Sequence, residues 1–279
     1  MDENFASWIG RGVSREDVAA GRLIAEYRAT LAPHLFEGGD TGDAPPGCHW
    51  GLAPAILAGD QLGPDGAEAK GLFLPPIALP RRMWAGGRIE TFAAIRVGAR
   101  IVRRSVISGL KMRQGKTGPL CFVSVNHEIE ADGRLSVRER QDLVFRDAAT
   151  SPAPTLPAAA GAKPDVEWHV DAAATLLFRF SAFTFNAHRI HYDLGYARDS
   201  EGYPNLVVHG PLQAALLLNQ AAVALGKVPR VFDYRCLAPL FAGRVFTVQS
   251  SSASGRILDA NGIVTCEANA EAGDRSALR

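Results

Sequence analysis

The residues with the clearest chemical potential lie in two short runs. The first is Phe185-Asn186-Ala187-His188-Arg189-Ile190-His191-Tyr192-Asp193, and about twenty residues further on comes Val207-Val208-His209-Gly210-Pro211. An imidazole titrates near neutral pH, so His191 suits the removal of a proton from water. Gly210 stands where an uncharged apolar stretch opens, because no Asp, Glu, Lys or Arg occurs from Pro211 to Gly226. That stretch predicts a helix buried on most faces, with Pro211 at N1 and Gly226 at C′ fixing its ends. The backbone N–H of Gly210, at the positive end of the helix dipole, suits an oxygen that gains negative charge. Glycine also lets a ligand approach the backbone closely. Asn186 cannot shuttle a proton, but its amide can hold a water or an imidazole in place. Base, orienting amide and oxyanion donor suit proton transfer beside a carbonyl that develops enolate charge.

These runs need a scaffold. Between Asp147 and Trp168, Pro152, Pro154, Pro157 and Pro164 alternate with alanines, the composition of a semi-rigid linker. The spacing predicts an N-terminal unit over 1–147, a linker over 148–166 and a C-terminal unit over 167–279 that carries both runs. In the first unit, Ser14-Arg15-Glu16-Asp17 reads as an N-cap and acidic first turn, followed by Val18, Leu23, Ile24, Tyr27 and Leu31 at helical spacing. Strands are expected over 89–95, 99–109, 120–130 and 135–145, with Asp132-Gly133 as a hairpin signal. The second unit predicts a strand over 175–184, a loop-rich stretch to 208, the buried helix, and strands near 231–237, 244–252 and 261–270. Long successive strands around a buried helix are antiparallel α+β architecture. The expected fold is a double hot-dog, two antiparallel sheets each wrapped around a helix and joined by the linker.

The run around His191 resembles the active-site motif of the R-specific enoyl-CoA hydratases and MaoC-like dehydratases. There an acidic residue, Asn-Pro and His-x-Asp precede an Ile-Val-His-Gly-x-Leu helix start. With Asn186 in place of the acid, the sequence is similar to the subfamily that contains mesaconyl-C4-CoA and itaconyl-CoA hydratases and mitochondrial 3-hydroxyacyl-thioester dehydratase. His49-Trp50, the run from Phe73 to Gly87, Arg96-Val97-Gly98 and the run from Gln141 to Arg146 are similar to that subfamily's N-terminal half. Tyr234-Arg235, Pro239 and Gly243 match the strand that follows the helix, so the resemblance covers most of the chain.

The resemblance implies a hydro-lyase that reversibly hydrates a short α,β-unsaturated acyl-CoA. Coenzyme A would be part of the substrate, with no separate cofactor. The subfamily implies a carboxylated acyl group, mesaconyl-C4-CoA or itaconyl-CoA giving citramalyl-CoA; dehydration of a straight-chain 3-hydroxyacyl thioester is the alternative. His191 would take a proton from the attacking water and return one to Cα, Asn186 would orient, and Gly210 would hold the thioester oxygen. A non-catalytic acyl-CoA-binding hot-dog protein and a thioesterase are readings of other kinds. The intact His191 and Gly210 argue against the first, and release of free thiol would reveal the second.

His188 and His209 are assigned supporting roles, bracing the loop and packing or capping the helix. Arg81 and Arg82, beside Trp84, are candidates to clamp a substrate carboxylate or the phosphates of coenzyme A, since a guanidinium fork matches both. A structural turn packed by Trp84 is an equal alternative. Arg100, Arg103 and Arg104 read as a solvated strand face, and His34, His127 and His169 as structural or solvated. Gly115-Lys116-Thr117 is not a phosphate loop, because Leu110 stands where the first glycine is required. No metal is expected, since beyond His188, His191 and Asp193 no further ligand set stands out.

The 279 residues carry 30 Lys and Arg against 29 Asp and Glu, which offers no footprint for nucleic acid. The 4 cysteines are far apart and form no Cys-x-x-Cys pair, so they read as apolar fillers. Leu206 to Leu225 is interrupted by polar residues and cannot be a membrane span, and the acidic start lacks the features of a signal peptide. A cytoplasmic location is expected, and a homo-oligomer is left open.

Overall fold

The computed structural model describes residues 3–38, 42–115, 118–147, 163–251 and 253–273. Most of the expected linker, and the two central residues of the Gly115–Gly118 turn, lie outside the described residues. The elements run β1 (Gly12–Val18), α1 (Gly21–Leu31), β2 (Arg81–Thr91), β3 (Arg100–Gly115), β4 (Gly118–Ala131) and β5 (Arg134–Arg146). The second half follows with β6 (Val166–Asp171), α2 (Ala174–Phe183), α3 (Gly210–Leu225), β7 (Val231–Cys236), β8 (Val245–Ser251), β9 (Ser254–Leu258) and β10 (Val264–Glu271).

The strands form one ten-stranded sheet in the order β1-β3-β4-β5-β2-β7-β10-β9-β8-β6, antiparallel in every pairing. Each half of the chain supplies five neighbouring strands, and β2 pairs with β7 at the seam. This is the double hot-dog architecture, with the two expected sheets fused edge to edge. The seam is tight: a Cβ at Gly86 would lie 2.4 Å from the carbonyl oxygen of Tyr234, so only glycine lets β2 approach β7 there. The β4–β5 hairpin turns at Asp132 and Gly133, both at positive φ, as an Asp-Gly two-residue turn requires.

Helix α3 lies against β8, β9 and β10. Leu212 to Ala222 are all buried, and Gly226 closes the helix in the left-handed conformation at φ 67°. Two polar side chains inside it tie it to the rest of the chain. Asn219 donates from Nδ2 to the Pro46 carbonyl (2.9 Å) and accepts from the Phe36 N–H (3.1 Å), and Gln213 Oε1 accepts from Thr265 Oγ1 (2.9 Å). Helix α1 packs on α2, while residues 48–80 run as a largely irregular segment across the first half.

Two expectations are corrected. Residues 14–18 are not the first turn of a helix: they alternate in burial and pair with β3, and α1 begins only at Gly21. Residues 175–184 are not a strand but most of α2, where Leu177, Phe180, Ser181 and Phe183 turn inward at helical spacing. Two short strands, β6 and β9, carried no sequence signal that was read as such.

Candidate active site

The C-terminus of α2 sets the geometry of the first run. Phe185 takes the left-handed conformation at φ 51°, the Asn186 N–H reaches back to the Ser181 carbonyl (2.8 Å) and the Phe185 N–H to that of Ala182 (3.2 Å). This is a Schellman ending with phenylalanine where glycine is usual. Asn186 Oδ1 then accepts from the His188 N–H at 3.0 Å, which turns the chain into the single 3₁₀ turn Arg189–His191. Two further bonds anchor that turn, from the Arg189 N–H to the Asp65 carbonyl (2.8 Å) and from the Val207 N–H to the Ile190 carbonyl (2.9 Å).

His191 is buried, with Nδ1 2.7 Å from the Val207 carbonyl oxygen. A carbonyl only accepts, so Nδ1 carries the proton and Nε2 presents a lone pair. Burial pushes the His191 pKa down to about 4, partly opposed by the bond to Val207, so the ring is neutral at physiological pH. His209 stacks on it with ring centroids 3.6 Å apart and planes at 21°, and its Nε2 lies 2.8 Å from Ser181 Oγ. His188 meets His191 edge-on at 5.4 Å. Burial, and then the neighbouring His191, hold the pKa of both His188 and His209 well below the usual range. Asp193 is occupied by the Arg189 guanidinium, at 2.8 Å and 3.0 Å.

The second run reaches the same place through α3, whose N-cap is His209. A Cβ at Gly210 would lie 2.9 Å from Trp84 Cβ and 3.3 Å from Cys236 Sγ. Glycine is thus required by the packing of α3 on β2 and β7, a reason independent of any ligand. Trp84 in turn donates from Nε1 to Tyr234 Oη at 2.8 Å, which fixes its ring.

A cavity of about 750 Å³ is lined by Asn186, His188, His191, Gly210, Arg82 and Trp84 together. His209 lies behind it, fully buried against His191. Arg81 is not among the lining residues: its guanidinium is bound by the Glu201 carbonyl and by Glu201 Oε2, the latter at 3.2 Å, and lies over the Tyr203 ring. Arg82 faces Asp65 at 3.9 Å, and Asp65 is equally 3.9 Å from His188 Nε2. Asp65 and Ser181 therefore support the histidines, though no sequence pattern singled them out.

The cavity also extends to residues that sequence reasoning set aside. Arg103 does not belong to a solvated strand face. It is 9% exposed and turned inward, while Arg100 and Arg104 remain outside. His127 is 6% exposed and lines the cavity beside it. Among the described residues no cluster of three or more His, Cys, Asp or Glu is placed to hold a metal ion, and no helix is long and apolar enough to cross a membrane.

Comparison with known proteins agrees with this architecture. Residues 47–242 match the family model of hydroxyacyl-thioester dehydratase type 2. The chain is 40% identical over 264 residues to mesaconyl-C(4)-CoA hydratase of Chloroflexus aurantiacus, covering 93% of each protein. It is 25% identical over 285 residues to the mitochondrial hydroxyacyl-thioester dehydratase type 2 of Schizosaccharomyces pombe, covering 88% of this chain and 91% of the other. The crystal structure of HtdX from Mycobacterium tuberculosis superposes with a TM-score of 0.69 at 15% identity, covering 94% of this chain and 100% of that one. The family model covers more than half of the chain and the hydratase match covers most of it, so the chain belongs to the hydroxyacyl-thioester dehydratase type 2 family.

Proposed function

We propose that the chain reversibly hydrates a short α,β-unsaturated acyl-CoA that carries a distal carboxylate, mesaconyl-C4-CoA or itaconyl-CoA, giving citramalyl-CoA. The observation that carries this reading is the tautomer of His191: the Val207 carbonyl takes the Nδ1 proton and leaves Nε2 as a base on a residue that lines the cavity. Likeness to a mesaconyl-C(4)-CoA hydratase at 40% identity supports the choice of acyl group.

In the hydration direction, with mesaconyl-C4-CoA as substrate, Nε2 of His191 takes a proton from water as the water oxygen bonds to Cβ. The C=C π pair moves onto Cα and the thioester oxygen, and the Gly210 N–H at the N-terminus of α3 donates to that oxygen. The proton on Nε2 then passes to Cα, directly or through water, so that H and OH have been added across the double bond and the imidazole is neutral again. Asn186 has its Oδ1 engaged by the loop, which leaves the Nδ2 hydrogens to hold the water. His188 and His209 keep the imidazole oriented, and Arg82 and Trp84 border the acyl group.

Loss of enoyl-thioester absorbance across mesaconyl-C4-, itaconyl-, crotonyl- and longer enoyl-CoA substrates tests the reading. The expected result is a preference for the carboxylated pair. Faster turnover of crotonyl or longer chains would reassign the protein to straight-chain acyl thioesters, and no turnover of any of them would leave a binding protein.

A further inference from the structure

The first half of the sheet carries an inward row of polar side chains that the hydration chemistry does not use. Along β3, Ile101, Arg103, Ser105 and Ile107 alternate inward. The register sets Ser105 opposite His127 and His127 opposite Glu139, so three polar side chains stand in line across β3, β4 and β5. Arg103 and Gln141 flank the row, and Arg15 on β1 is the cross-strand neighbour of Arg103. Arg15, Arg103, Ser105, His127 and Gln141 all line the cavity that holds His191 and Gly210.

Burying this row costs free energy unless a partner satisfies it, and the protein satisfies it only in part. Ser105 Oγ lies 2.7 Å from His127 Nδ1, and Arg103 Nε donates to the same nitrogen at a long 3.4 Å. Nδ1 is therefore the acceptor and the proton sits on Nε2, which is buried beside the Gln141 side chain. Arg103 has one more bond, from Nη1 to the Leu52 carbonyl at 3.3 Å, and among the described residues neither it nor Arg15 takes part in an ion pair. The one carboxylate in the row, Glu139, accepts from Trp50 Nε1 at 2.8 Å and faces His49 Nε2 at 3.5 Å. Burial first, and then the Arg103 charge, hold the His127 pKa down to about 3, so the ring is neutral. Asp17, on the same face of β1 as Arg15, is engaged by the Ala53 N–H at 2.7 Å, and the Arg103 guanidinium borders the cavity with donors that its two bonds leave unfilled. An alkyl terminus there would leave those donors unfilled, whereas a carboxylate would take the guanidinium fork.

We propose that Arg103, held by His127 and the Leu52 carbonyl, anchors the distal carboxylate of a dicarboxylic acyl-CoA, so that the N-terminal half sets which acyl group the His191 centre accepts. This rests on the carboxylated-substrate reading and assigns its anchor to Arg103 rather than to Arg81 or Arg82.

The test compares each carboxylated enoyl-CoA with its methyl ester and with crotonyl-CoA, in wild type and in Arg103→Met. Wild type is expected to favour the free acid, and Arg103→Met to lower the acid-over-ester ratio of kcat/KM on the order of 10- to 100-fold, mainly through KM. Equal use of acid and ester by wild type would sink the carboxylated-substrate reading itself. A wild-type preference that survives in Arg103→Met would overturn only the Arg103 anchor. Should Arg103→Met fail to fold, phenylglyoxal modification of wild-type Arg103, mapped by peptide mass, decides instead. Protection by succinyl-CoA but not by butyryl-CoA is expected, and equal protection by the two would overturn the proposal.

Discussion

At the scale of single residues, the proposed chemistry depends on keeping one imidazole neutral and pointed. Burial lowers the His191 pKa to about 4, so the free base is fully present at every pH well above that value. Between pH 6 and 8, kcat/KM is therefore expected to show no inflection from His191; a titration near 6.5 in the pH–rate profile would contradict its burial as the base. Asn186→Asp keeps the oxygen that accepts from the His188 N–H but replaces the Nδ2 donors with an ionisable group. The expected outcome is a thermal midpoint close to wild type with a new inflection in the pH–rate profile, and an unchanged profile would remove Asn186 from the site. The candidate residues that converge on the cavity were legible because they fall in two contiguous runs, each with an unusual composition. Arg103 and His127 were not, because period-two alternation tells which residues share a face but not which face borders a cavity. Asp65 and Ser181 are brought to the histidines by tertiary packing alone.

At the scale of elements, α3 and its surroundings explain why small changes far from the imidazole matter. A methyl at Gly210 must displace Trp84 or Cys236, so Gly210→Ala is expected to cost about 1–3 kcal/mol, read from urea midpoints, together with most of the activity. Asn219 ties α3 to both Phe36 and Pro46, and Asn219→Leu leaves the Phe36 N–H without its acceptor; a similar loss of about 1–3 kcal/mol is expected. Phe185 holds a left-handed position that glycine would adopt freely, so Phe185→Gly should not destabilise and is expected to gain up to about 1 kcal/mol. The buried helix was readable from its lack of charge and its Pro and Gly ends. Helix α2 was misread because Phe and Thr in 175–184 favour a pleated surface locally, and its packing on α1 selects the helix. Residues 14–18 were misread for the converse reason: Ser14 and its acidic neighbours mimic a cap, but the exposed edge of β3 recruits them as a strand.

At the scale of the whole molecule, the fusion of two five-stranded halves at β2 and β7 creates a cavity to which both contribute. The double hot-dog was legible from the succession of long strands around a charge-free helix, whereas the fusion into one sheet was not, since no local pattern announces which edges pair. The first half has no counterpart of α3 among its described residues, and the irregular segment from residue 48 to 80 borders the cavity there. Enclosing so many histidines has a global consequence. His127, His188, His191 and His209 all have folded pKa values lowered by burial, so the unfolded chain binds protons first as pH falls. Their contribution to stability is intact above about 6.5, the unfolded value, and is lost as pH falls toward the folded values, by about 1.4 kcal/mol per pH unit for each ring. Glu139, held down to about 2, adds a loss in the same direction below the ordinary carboxylate range. The urea midpoint is expected to fall steeply between pH 6.5 and 5, and a midpoint constant down to pH 5 would show that these rings are not buried and neutral. The most direct test of the catalytic centre is the turnover of the preferred enoyl-CoA by His191→Ala, with folding checked by its thermal midpoint. A fall in kcat of roughly 100-fold or more at similar KM is expected of a lost general base, and a folded variant that retains more than about a hundredth of wild-type turnover would place the base elsewhere.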